Sequence, residues 1–165
     1  MRPDRFQTLL TNQLPSVPGI LKAVTFADAG HERSRHGIVL HHHNGTRTWW
    51  QIIATSRGGD DYAQPEASPA TGERLPELPV PDLSGASVPT SEVEAALVAV
   101  LTHADTAGET ARIDRYSLRE TPGAVSHGLT VDFYDGSRIF VYGVASAREG
   151  RELRPSDYFK IDATV

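Results

Sequence analysis

The chain has 165 residues, of which 39% are apolar; it contains no cysteine and carries a formal charge of −5. That length fits one domain or two very small ones, with enough apolar content for a core. Lack of thiols removes disulfides, zinc–thiolate sites and cysteine nucleophiles together, and the acidic balance disfavours binding that works by neutralising phosphates.

The opening MRPDRFQTLL lacks the apolar run of a signal peptide, and no span approaches membrane length. A cytoplasmic protein that does not enter membranes is therefore expected. Lysine is confined to Lys22 and Lys160, an arginine bias expected of a GC-rich bacterial genome. Phe6, Leu9, Leu10 and Leu14 give a short amphipathic helix, with Asp4 and Gln7 as a reciprocal cap and Pro15 and Pro18 as its end. Ile20 to Phe26 alternates as a strand, and Asp28 to Arg35 is a loop. Strands over 37–43 and 46–55 join through Asn44-Gly45, a strong hairpin signal.

From Arg57 to Pro89 the chain is rich in proline, glycine and acidic residues, so residues 65–90 read as a linker. Pro76 to Pro79 spells PxxP, but a strap across the domain or a loose tether is favoured over a docking motif. Ser91 to Glu94 is a capping box opening a second helix over 91–104. Val93, Leu97, Val100 and Leu101 are its buried stripe, and Ala96, Val98 and Ala99 widen the apolar face. Its surplus apolar surface would serve either a homodimer or a larger internal core. Arg112 to Leu118 is then a strand and Glu120 to Ser126 a loop. Gly128 to Tyr134 and Ser137 to Ala145 form a hairpin turned at Asp135-Gly136, and Pro155 begins a terminal helical turn.

The order repeats. His36, Gly37, Gly45, Arg47 and Ala54 recur 91 positions later as His127, Gly128, Gly136, Arg138 and Ala145. The chain is read as two αβββ repeats, 1–64 and 91–165, of the α+β class. The two meanders are expected to join edge to edge as a pseudo-twofold antiparallel sheet of about six strands, with both helices on one face and one shared core. A two-residue type I′ turn would send Trp49 and Ile53, with Phe140 and Val144, to the core; a three-residue turn closed by a glycine bulge, the favoured choice, sends Thr48, Trp50 and Ile52, with Ile139, Val141 and Ala145, there. The outer face then carries His41, Arg47, Trp49 and Gln51, repeated as Asp132, Arg138, Phe140 and Tyr142.

The chemistry-bearing residues give little. His41 and His43, two apart on a strand, are the only metal candidates, and no third ligand has the spacing for a site. His42 aligns with Phe133 and is expected buried or at the rim. His31-Glu32 with His36 spells HExxxH, which breaks the spacing of the zinc-protease helix. His36 and His127 both precede a strand-opening glycine, and a turn hydrogen bond explains them better than paired catalytic bases. No phosphate loop, nucleophile elbow or dinucleotide fingerprint is present, and no cofactor is expected. The helix followed by three antiparallel strands resembles, in element order, the opening of a double-stranded-RNA-binding domain. That resemblance implies a lysine-rich clamp after the strands, whereas Arg57 to Gln64 and Arg148 to Lys160 are mixed in charge. The expectation is a non-enzymatic module that binds another protein through Arg47, Trp49, Gln51, Asp132, Arg138, Phe140 and Tyr142. A small-ligand or enzymatic pocket at the seam between the repeats is the first alternative, and nucleic-acid binding the second.

Overall fold

Phe6 and Leu10 stand one turn apart on α1 (Pro3–Gln13) and are fully buried. Proline suits the first turn because its fixed φ is already helical and its missing N–H has no partner there. A computed structural model describes residues 1–121 and 123–165 of the chain, so the loop expected over 120–126 contains one position, Pro122, outside the described residues. After α1 come β1 (Ile20–Thr25), β2 (Gly37–His42) and β3 (Thr46–Thr55). Then follow α2 (Thr90–Ala104), β4 (Thr110–Arg115), β5 (Gly128–Phe133) and β6 (Arg138–Arg148). None of the described helices is long and apolar enough to cross a membrane.

Both expected capping boxes fail, for the same reason. The cap of α1 is Arg2, which leaves Asp4 inside the first turn and bonded to His36 Nε2 at 3.0 Å. Gln7 Oε1 accepts the Gly37 N–H at 2.9 Å instead of serving its own helix. On α2 the cap is Pro89, and Glu94, fully buried, accepts the Ser117 N–H at 3.2 Å. In each case a side chain that could satisfy its own helix terminus is recruited by a backbone donor elsewhere.

The strands form one antiparallel sheet in the order β1-β2-β3-β6-β5-β4, with the helices packed against it: an α+β fold. Both outer strands slip register at their start, beside Lys22 and Arg112, which blunts edges that would otherwise template further pairing. Both hairpins turn in three residues. Gly45 (φ +75°) and Gly136 (φ +82°) donate to the carbonyls of His42 and Phe133 at 3.0 and 2.9 Å. Their positive φ is the left-handed conformation that closes a type I turn with a glycine bulge. That turn sets Ile38 opposite Trp50 and Leu129 opposite Val141. The recurring histidines mark the ends of the hairpins: the carbonyls of His36 and His127 accept the N–H groups of Ile52 and Gly143.

At the centre β3 pairs with β6, and Gln51 lies opposite Tyr142. These positions are 142 − 51 = 91 apart, the offset at which the sequence repeats. One residue interrupts the ladder. Trp49 pairs with Ala145 but Trp50 with Gly143, so Val144 is a bulge. The bulge turns Ala145 away from the helix side, contrary to the expectation that it joins Ile139 and Val141 in the main core.

That core lies between helices and sheet. It draws Phe6, Leu10, Ile38, Leu40, Trp50 and Ile52 from the first half and Leu97, Leu101, Leu129, Val131, Ile139 and Val141 from the second. Leu83 and Val88 enter it from the intervening segment. That segment is bonded along its course: Gly72 N–H to Gly108 O at 2.9 Å, Leu78 N–H to Thr102 Oγ1 at 3.3 Å, and Leu83 N–H to Pro18 O at 2.8 Å. β4 ends earlier than the expected strand over 112–118, because residues 116–118 coil into a short 3₁₀ turn.

Candidate functional site

The face of the sheet turned away from the helices falls into two unequal halves. On the first, Phe26, Val39, Trp49, Val144, Ala145 and Ala147 form a second buried cluster, and Leu153 of the tail that follows β6 packs against it. Arg47 stacks over the Trp49 indole at 5.1 Å and donates from Nη2 to the Arg151 carbonyl at 2.8 Å, fixing the tail's backbone. Farther along, the Tyr158 hydroxyl lies 3.1 Å from His31 Nδ1, and Arg33 stacks over the Tyr158 ring at 4.0 Å. Burial, aided by the Arg33 charge, holds His31 below its ordinary pKa and so favours the neutral ring. Trp49 is only 5% exposed beneath this cover.

The second half is differently finished. Phe140 and Tyr142 are half-buried with ring centroids 5.9 Å apart, and Tyr116 lies 6.0 Å from Tyr142. Ile53, opposite Phe140 on β3, is 40% exposed. The Tyr116 hydroxyl and Thr130 Oγ1 are 2.9 Å apart, and Arg119 lies over the Tyr116 ring at 3.6 Å while bonded to Asp114. Arg138 is paired with Asp132 across the hairpin. These carboxylates raise the pKa of both guanidiniums. Burial first, and then the neighbouring Tyr116, push the Tyr142 phenol up as well.

The seven residues singled out from the sequence thus share one face but not one environment. Arg138, Phe140, Tyr142 and Asp132 line the open half, Gln51 lies at the midline, and Arg47 and Trp49 are engaged by the tail. Sequence reasoning missed Tyr116, Arg119 and Ile53. Tyr116 is the counterpart of Phe26 only once the pairing of β4 on β5 is known, since the loops before the two hairpins differ in length. Ile53 faces outward by the same alternation along β3 that puts Trp50 and Ile52 in the main core.

At the midline a cavity of about 280 Å³ opens between Gln51, Val144, His31, Ser34 and Tyr158. Gln51 donates to Ser34 Oγ at 3.3 Å along its wall. His41 approaches Glu149 at 3.6 Å, whereas His43 lies in the turn rather than on the strand, so the two rings lack the spacing that would aim both at one ion. Among the described residues no group of three or more His, Cys, Asp or Glu is placed to hold a metal. Comparison of the chain with known protein families, with curated proteins and with solved structures finds no match.

Proposed function

We propose that this protein is a non-enzymatic binding or adaptor module of the cytoplasm that recognises another protein through the open half of its outer sheet face. The observation that carries the reading is the contrast between the halves. Aromatic and guanidinium groups at the matching positions are covered on one side, and on the other Phe140 and Tyr142 are half-buried and Ile53 is exposed, between ion-paired arginines. Tyrosine, arginine and large apolar side chains in such a setting are the usual anchors of protein interfaces. Phe140→Ala removes the central ring, and with Arg138→Ala it should leave the far-ultraviolet circular dichroism and the cooperative melt largely intact. Quantitative affinity enrichment against wild type should lose the same partner with either variant. Unfolding of both variants, or enrichment that neither changes, would count against the reading.

The cavity beside Gln51 supports a second reading, a small ligand held at the seam between the halves. Pockets of this size with a few convergent polar groups are common at such junctions. A thermal-shift screen separates the two, because a tight ligand raises the melting temperature by mass action while a peptide-free protein face does not respond. Nucleic acid is disfavoured by the charge of −5 and by the pairing of Arg119 and Arg138 with aspartates.

A further inference from the structure

The two halves of the outer face have the same floor. Ile38 and Leu129, 129 − 38 = 91 apart, pair with Thr25 and Arg115, so the next residues, Phe26 and Tyr116, hold equivalent places. Trp49 matches Phe140, and Arg47 matches Arg138, at the same offset. On the first floor lies the chain's own tail: the Arg151 carbonyl takes a hydrogen bond from Arg47, and Leu153 packs against the cluster that includes Trp49. On the second floor no described residue takes the place of Leu153. The segment after β3 goes elsewhere, to α1, where Arg2 pairs with Asp60 at 2.9 Å and stacks over Tyr62 at 4.7 Å.

We infer that the open half takes an extended segment of the partner protein with the chemistry of residues 151–158: an aliphatic anchor between an acidic and a basic side chain. This rests on the binding reading above and specifies what the partner presents. Net charge does not set the choice: in the tail Arg151 and Arg154 offset Glu152 and Asp157, so recognition rests on the aliphatic anchor and the backbone carbonyl two residues before it. The surface is also continuous with the tail's own interface, since Gln51 and Tyr142 meet at the midline. Phe140 supplies an apolar surface where the cluster containing Trp49 receives Leu153, and Arg138, swinging from Asp132, supplies the donor that Arg47 gives the Arg151 carbonyl.

The test is a fluorescein-labelled peptide of residues 150–160, titrated by anisotropy into the full-length protein, with a single-stranded oligouridine run in parallel. Saturable binding is expected, weakened roughly ten-fold or more by Phe140→Ala, as for an interface anchor. Leu153→Ala in the peptide should weaken it comparably, and oligouridine should not bind. Arg138→Glu, at an exposed position, serves if the Phe140 variant proves unfolded. No binding at millimolar peptide overturns the inference. So does binding that neither Phe140→Ala nor Arg138→Glu alters, which would mean that the peptide merely replaces the tail. Oligouridine binding that those variants abolish would reassign the face to nucleic acid. A partner still lost from Phe140→Ala in affinity enrichment, with a silent peptide, would leave the binding reading standing and remove only this one.

Discussion

His42 and Thr48 show how much one buried polar pair can decide. His42 is 1% exposed; its Nε2 lies 3.0 Å from Thr48 Oγ1, the same oxygen that accepts Trp50 Nε1–H at 2.9 Å, and its Nδ1 has no hydrogen-bond partner among the described residues. Burial above all, then the adjacent His41, lowers the His42 pKa to about 4 from an ordinary 6.5. The unfolded chain therefore binds a proton that the folded chain refuses as pH falls from 6.5 towards 4. Stability should be full above 6.5 and decline through that window by up to about 3 kcal/mol, levelling off below 4. Chemical denaturation at stepped pH measures it, and His42→Phe, which restores the residue of the second half, should flatten the curve. Thr48→Val strands both ring nitrogens in the core and should cost about 1–3 kcal/mol for each polar group left unpaired. The sequence anticipated the burial of His42 through its alignment with Phe133, but not its partner: Thr48 reaches it only across a hairpin whose turn length had to be known first.

At the scale of elements, the hairpins were the most legible part. Asn44-Gly45 and Asp135-Gly136 carry the turn chemistry, and the side chains complete it: Asn44 Oδ1 accepts the Thr46 N–H at 3.0 Å and Asp135 Oδ1 the Ser137 N–H at 2.8 Å. Gly45→Ala should lower the unfolding free energy by about 1–2 kcal/mol through backbone strain alone, because open space surrounds the new methyl. Gly37→Ala should cost more, since its Cβ would lie 2.3 Å from the Phe26 ring. Comparing the two by urea denaturation separates strain from collision. What stayed illegible were the helix starts and the bulge. A capping signal competes with distant backbone donors that only the folded chain supplies, and Val144 looks in sequence like any other residue of an alternating strand.

For the whole molecule, the strand order and the edge-to-edge joining were readable because each half repeats the same punctuation of helix, strand and turn. The unequal finish of the two halves was not, because residues 148–159 carry little periodicity and owe their position to Arg47, His31 and Leu153. Leu153→Ala should loosen that cover with a cost of about 2 kcal/mol or less, as Leu153 is only partly buried. Acrylamide should then quench tryptophan fluorescence more strongly, through Trp49 and not the fully buried Trp50. Unchanged quenching would show that the tail does not shield the indole.

The strand order holds one more consequence. In β1-β2-β3-β6-β5-β4 no strand of either half is inserted within the other, and the connecting segment is exposed around Ser68 and Pro69. A cut there severs one covalent link without unthreading anything. Two fragments, 1–68 and 69–165, produced together, should reassemble around β3 and β6 into a non-covalent heterodimer, and the protein would serve as a split reporter.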